Sequence, residues 1–327
     1  MKNRAFGREG IEISDIGLGC WQIGGSWGHV EEETARKILM ASLDAGVSFF
    51  DTADVYGGGR SESIIGGFLK EARSEDLFIA TKVGRMGLYP DQYSEVAIRE
   101  HVEACLKRLG VESLDLVQTH CVPTEVMRQG EIYEWLKALV VEGKIKRFGA
   151  SVESMEEANM LIETVDELYS LQIIFNLFRQ KAIDVLFDAA KAKKVGIIAR
   201  VPLASGVLSG KFTADTLFGQ EDHRNFNKDG DAFNVGETFA GVPFEKAIEF
   251  ADKIESLRPE GMSLAQMALR WIVDHDAVSV VIPGASKISQ AIGNAEVSDL
   301  PPLSEDTHAA LRKLYREEIH GEVRGVY

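Results

Sequence analysis

Short apolar runs that close on a polar residue recur along the chain, separated by stretches whose apolar positions fall three and four apart. The first pattern reads as buried strand and the second as helix. Residues 4–13 alternate as a hairpin does, with Gly7 and Gly10 at its tip. Ile16–Gly19 is the first core strand, leading into the glycine-rich loop 24–28. From Glu31, Ala35, Ile38, Leu39 and Leu43 form one helical face, and a strand follows over 48–51. A helix from Ser61 to Ala72 precedes a strand over 77–82. Ser94 caps the next helix, whose stripe of Val102, Cys105, Leu106 and Leu109 ends at Gly110. Strands over 114–119, 145–151, 170–175, 195–201 and 278–282 alternate with helices over 131–141, 153–165, 183–193 and 264–273.

Eight strands alternating with helices predict one domain over 1–327, an α/β protein of the (β/α)8 TIM-barrel class with an N-terminal β-hairpin. An open doubly wound sheet is the alternative, disfavoured by eight regular units without a break in composition. The connection after strand seven, residues 202–243, contains no strand, and its 219–241 stretch is polar and glycine-rich. Loops of that length in compact domains are commonly functional, and this one follows a barrel strand, so it is expected to overhang the active end. After Ser304 a helix to about Ile319 and a free end over 321–327 are expected.

Composition narrows the partners. Acids outnumber bases 51 to 36, giving a formal charge of −15, which argues against nucleic acid or an anionic membrane. No apolar run approaches the length of a membrane span, and the N-terminus has no signal-peptide core. Cys20, Cys105 and Cys121 lack metal-site spacing and suit a reducing compartment. A cytoplasmic enzyme that needs no metal is expected, with its assembly state open.

Three strands end on ionisable residues: Asp51, Lys82 and His120. Successive parallel strands would bring these to one end of a barrel, where barrel enzymes build their active sites. Tyr56 hangs from the loop Val55–Gly59 directly after the first of them. A reaction that builds negative charge on an oxygen calls for a proton or a donor there. Tyrosine titrates near pH ~10, and an adjacent ammonium is expected to lower that value. Asp51 would keep Lys82 charged and aimed, while a neutral His120 could donate to the same oxygen. Singly, each residue has an ordinary structural explanation; at successive strand ends they favour catalysis. A second constellation, Ile282-Pro283-Gly284-Ala285-Ser286-Lys287 with Gln290, turns from a strand into a helix start, a setting suited to an anion. Neither a G-x-S-x-G elbow nor a G-x-G-x-x-G dinucleotide loop after the first strand is present.

The segments Asp51-Thr52-Ala53-Asp54-Val55-Tyr56-Gly57, Ala80-Thr81-Lys82 and Gln118-Thr119-His120 resemble the catalytic motifs of the aldo-keto reductase family. The resemblance extends to Leu18–Trp21, Gly149–Ser151, Gln172, Pro202–Lys211 and Ile282–Ser286. It implies an NADP(H)-dependent oxidoreductase acting on a small carbonyl substrate, with Asp51, Tyr56, Lys82 and His120 as its catalytic four and Tyr56 as proton donor. It further implies that Ser286, Lys287 and Gln290 hold the adenosine 2′-phosphate and Asn294 the adenine. Ser151 and Gln172 fall to the nicotinamide carboxamide. Trp21, Asp51, Pro202, Leu203, Gly206, Lys211 and Gly284 complete the cofactor contacts, and Trp21 and Trp27 wall the substrate pocket with Tyr56 and His120. The sequence departs from the family pattern at Val152, often asparagine, and at Arg200, where a tyrosine often stacks on the nicotinamide. Arg200 either lies against that ring or turns aside to an acidic neighbour or a pyrophosphate oxygen. A competing function on the same fold is an NADPH-binding sensor with little turnover, as in the potassium-channel β subunits that resemble this family.

Overall fold

The computed structural model describes residues 1–25, 27–28, 30–72 and 77–327, so Ser26 of the 24–28 loop lies outside the described residues. Strands β1 (Asn3–Phe6) and β2 (Ile11–Ser14) pair antiparallel as the expected hairpin. The core strands are β3 (Leu18–Gly19), β4 (Phe49–Asp51), β5 (Phe78–Val83), β6 (Leu116–His120), β7 (Phe148–Ser151), β8 (Ser170–Ile174), β9 (Gly196–Arg200) and β10 (Val278–Val281). Each pairs in parallel with its successor, in chain order. The Gly17 N–H donates to the Val281 carbonyl at 2.8 Å and the Gly19 N–H to that of Pro283 at 3.0 Å, which closes the ring. The result is the predicted (β/α)8 barrel. Its strands are buried almost throughout, as sheets covered by helices on every side must be.

The two ends of the barrel differ because of what fills them. At the lower end the hairpin inserts Phe6, whose ring meets Phe49, Phe78 and Tyr169 edge-on at 5.6, 5.5 and 5.2 Å. Edge-to-face pairs of this kind contribute about 0.5–1.5 kcal/mol each beyond simple burial. That plug leaves only the carboxyl ends of the strands for a site. The helices that hold the strands begin and end largely as their sequences dictate. Ser94 accepts the Ala97 N–H at 3.2 Å, and Gly110 adopts the left-handed conformation with φ 69° at the other end.

Two expectations require correction, while the C-terminal helix reaches Ile319 as expected. The helix predicted over 183–193 is two, Ala182–Val185 and Phe187–Lys193, broken at Leu186, whose φ of −126° is not helical. The C-terminal helix runs over Glu305–Leu314 and loosens into a wider turn over Tyr315–Ile319. The segment after it is not a free end. Arg324 donates from its backbone N–H and from Nε to the Gly241 carbonyl, at 3.1 and 3.0 Å, and from Nη1 to Asp229 at 2.9 Å. The cause is Arg179, which is 1% exposed. A buried guanidinium needs acceptors, and the tail supplies the carbonyls of Arg324 and Val326 together with the ring of Tyr327, 4.7 Å from Arg179 Cζ.

The 202–243 connection contains no strand, as expected, and is built from short turns over Ala204–Ser209, Val235–Glu237 and Phe239–Gly241 and a four-residue helix, His223–Phe226. Among the described residues, no helix is long and apolar enough to cross a membrane.

Candidate active site

Strand pairing places Asp51, Lys82 and His120 at the same end of neighbouring strands, since Asp51 aligns with Ala80 and Lys82 with Gln118. Tyr56 is set by the loop that follows β4. Gly57 has φ +63°, and a side chain there would collide with the Gly24 carbonyl; one on Gly24 would strike the Tyr56 backbone. Glycine at both positions lets the Tyr56 loop lie directly against the helix Trp21–Gly24. The Tyr56 ring then stacks on Trp21 at 5.9 Å and meets His120 edge-on at 5.8 Å.

Lys82 is fully buried, and its ammonium uses all three protons: to Asp51 Oδ1 at 2.5 Å, to the Thr52 carbonyl at 2.8 Å and to Tyr56 Oη at 3.0 Å. Asp51 also accepts from Gln172 Nε2 at 2.7 Å and Gln118 Nε2 at 3.4 Å. Burial works against the charge on Lys82, but Asp51 and Tyr56 outweigh it and hold its pKa above the ordinary lysine value. The Tyr56 phenol departs from expectation. Burial pushes it up to about 12 despite Lys82, with Asp51 and Glu237 adding to the rise. At neutral pH it is therefore a protonated acid whose oxygen is already engaged by Lys82. Its remaining O–H is free to donate. Burial, followed by Lys82, Arg85 and Arg200, holds His120 well below the usual imidazole value, so it is neutral. Its Nδ1 is buried without a partner among the described residues.

A single cleft with a cavity of about 510 Å³ runs from these residues to the turn after β10. Trp21, Trp27, Asp51, Tyr56, His120 and Gln172 line it at one end. Pro202, Leu203, Gly206 and Lys211 line it after β9, and Gly284, Ser286, Lys287 and Gln290 after β10. Three residues singled out in the sequence do not line it. Lys82 lies beneath Tyr56, and the Ser151 hydroxyl sits 3.5 Å from Cys121 Sγ. Asn294 Nδ2 donates to the Gly284 carbonyl at 3.4 Å. At the helix start expected to face an anion, Gln290 Oε1 takes the Ser286 and Lys287 N–H groups at 2.8 and 3.1 Å. Charge at that end therefore comes from the exposed Lys287 side chain and from Lys211 rather than from those two amides.

Arg200 turns aside. Its Nη1 pairs with Glu237, and its Nη2 donates to the Val152 carbonyl at 2.8 Å. A guanidinium held this way is not the flat stacking surface a tyrosine would offer. Its Nε is buried without a partner among the described residues, while the residue itself lines the cleft. The segment after β9 is strained: Val201, Ala204 and Ser205 have φ of 52°, 46° and 56°, at about 1–3 kcal/mol each. The Ser205 hydroxyl ties this segment to the overlying loop through the Glu237 carbonyl and the Phe239 N–H, at 2.9 and 3.1 Å.

The lining residues not singled out in the sequence include Arg85, Arg224, Phe233 and Glu237. The last three belong to the loop over the cleft, where Arg224 is held by two bonds to Asp222 at 2.9 and 2.5 Å. Only the length and position of that loop signalled them.

A model of the aldo/keto reductase family matches residues 15–316. The aldo-keto reductase YhdN of Bacillus subtilis is 32% identical over 311 residues, covering 94% of this chain and 91% of that protein. Among solved structures, a glycerol dehydrogenase from Gluconobacter oxydans is 30% identical with a TM-score of 0.78, the match covering 97% of this chain and 96% of that one. An aldo-keto reductase from Klebsiella pneumoniae, solved in complex with NADPH, is 25% identical with a TM-score of 0.72 and covers 99% of both chains. The match to the family begins where the hairpin ends and runs through every barrel strand into the C-terminal helix, so the chain belongs to the aldo/keto reductase family.

Proposed function

We propose that the protein reduces the carbonyl group of a small aldehyde or ketone to an alcohol with NADPH, Tyr56 giving the proton. The observation that carries this reading is the chain of contacts Asp51–Lys82–Tyr56, at 2.5 and 3.0 Å, opening into the same cleft as a neutral His120. The residues lining that cleft suit a nicotinamide dinucleotide phosphate. The cleft is long, carries Lys211 and Lys287 away from the catalytic end, and presents the unpartnered buried donor Arg200 Nε at the other. Pro202, Leu203 and Gly206 would flank the cofactor. Gln172, whose amide nitrogen is committed to Asp51, keeps its oxygen for a carboxamide N–H. Bound there, NADPH supplies the hydride.

The protein's own part is the proton. Tyr56 donates its phenolic proton to the carbonyl oxygen as that oxygen gains electron density, and solvent later restores it. The Lys82 ammonium, fixed by Asp51, stabilises the phenolate left behind. His120, neutral and beside Tyr56, polarises the same oxygen and orients the substrate. Placing the donor before the reaction begins avoids reorganisation during it. The test is steady-state consumption of NADPH against a panel of aldehydes and ketones. Many turnovers per protein are expected. NADPH binding with no turnover on any carbonyl would reject catalysis in favour of a sensor.

A further inference from the structure

Among the described residues, Arg85, Arg200 and Arg224 line the cleft and Lys82 lies just beneath it; all but Arg85 are held by close carboxylates. Lys82 is paired with Asp51, Arg200 with Glu237, and Arg224 with Asp222 through two hydrogen bonds. Arg85 differs. It follows β5 through Gly84 and lines the cleft with Tyr56, His120 and Phe233. Its nearest carboxylate, Glu153 Oε1, is 3.7 Å away, beyond hydrogen-bond reach. Among the described residues its guanidinium makes no hydrogen bond; it lies instead 5.5 and 5.8 Å from the rings of Tyr89 and Phe233. Glu153 is itself a weak counter-ion. It accepts from Asn234 at 3.0 Å, and burial raises its pKa, with Glu237 adding to the rise.

From these contacts we infer, building on the carbonyl-reductase reading above, that Arg85 is a specificity-determining residue that receives an oxyanion on the substrate, so the preferred substrates are aldehydes or ketones bearing a carboxylate or a phosphate ester. A guanidinium with uncommitted donors in a cleft is suited to bidentate recognition of either group. The aromatic side chains at this end, Trp21, Trp27, Phe226 and Phe233, suit the carbon skeleton between carbonyl and anion. The cofactor's own phosphates are not the match for Arg85. Lys287 follows β10, which on the closed ring is separated from β5 by β4 and β3. Arg85 lines the same cleft as Tyr56 and His120, so an anion bound to it would share that cleft with the reacting carbonyl.

Two matched pairs test this: butyraldehyde against succinic semialdehyde, and glyceraldehyde against glyceraldehyde 3-phosphate, each with NADPH. The expected result is that kcat/KM favours the charged member of at least one pair by roughly tenfold, with the advantage shrinking as salt rises. The pair that shows it tells carboxylate from phosphate. Arg85→Gln should lower the charged-to-neutral ratio roughly 10- to 100-fold, mainly through KM, and Arg85→Lys should fall between. Neutral members preferred in both pairs, or a ratio unchanged in Arg85→Gln, would overturn the role of Arg85 while leaving the reductase reading intact. If neither member of either pair turns over, the role of Arg85 is overturned, and the wider panel of aldehydes and ketones decides the reductase reading separately.

Discussion

Two buried ion pairs face the same cleft and are built in opposite ways. Lys82–Asp51 joins the ends of adjacent strands, and every proton of its ammonium is used locally. Arg200–Glu237 joins the end of β9 to a loop that rests on Arg179 and the C-terminal tail, and it leaves Arg200 Nε without a partner. The first pair is rigid because the sheet itself sets its geometry. The second exists only if a long loop and a distant tail fold onto the barrel. A buried pair of either kind is poor evidence of net stabilisation, since desolvation offsets most of the attraction. What differs is the work each can do: the first holds the proposed proton donor, the second shapes a wall.

That contrast can be broken from either side. Lys82→Met removes the cation that stabilises the Tyr56 phenolate, and carbonyl reduction should fall by about 100-fold or more in kcat/KM. A loss under about tenfold would mean that Lys82 is only a packing element. Glu237→Gln strands the buried Arg200 charge, so its main cost should appear as stability, about 3 kcal/mol in denaturant unfolding. Its kcat should fall far less than that of Lys82→Met. Equal catalytic losses in the two variants would erase the distinction drawn here. Lys287→Ala touches neither pair and should weaken NADPH by about 1–3 kcal/mol while barely changing NADH. Equal losses for both cofactors would show that Lys287 does not read the phosphate.

The smallest expected effect is on pH. Burial raises Tyr56 to about 12, and burial with nearby cations lowers His120. Both groups thus keep their working forms, and kcat/KM for reduction should be flat between about pH 6.5 and 9. His120 has a depressed folded value, so its contribution to stability is full above the unfolded pKa of about 6.5 and is lost as pH falls below it. An activity break near pH 6.5 would contradict the neutral His120.

The reach of sequence reasoning follows the same divide. The eight strands and the positions of Asp51, Tyr56, Lys82 and His120 were legible because period-two and helical patterns are local, and strand ends in a barrel meet by topology. Glu237 was not legible, because nothing within the aperiodic 202–243 stretch marks it as the partner of Arg200. The docked tail was missed for a similar reason: Arg324 and Tyr327 look solvated until Arg179 is found buried and donating to the carbonyls of Arg324 and Val326. The direction of the Tyr56 shift was missed because the sequence supplies the neighbouring lysine but not the depth of burial. Arg85 reads as an ordinary loop arginine until its contact with Glu153 is seen to be 3.7 Å long, too far for a hydrogen bond.

The central claim is that the proton comes from Tyr56, and Tyr56→Phe tests it most directly because the ring and its stacking on Trp21 are kept while the hydroxyl is lost. NADPH binding, followed by fluorescence titration, should stay within about threefold of wild type, and steady-state carbonyl reduction should drop by roughly 100-fold or more. Turnover near the wild-type rate in that variant would contradict the account.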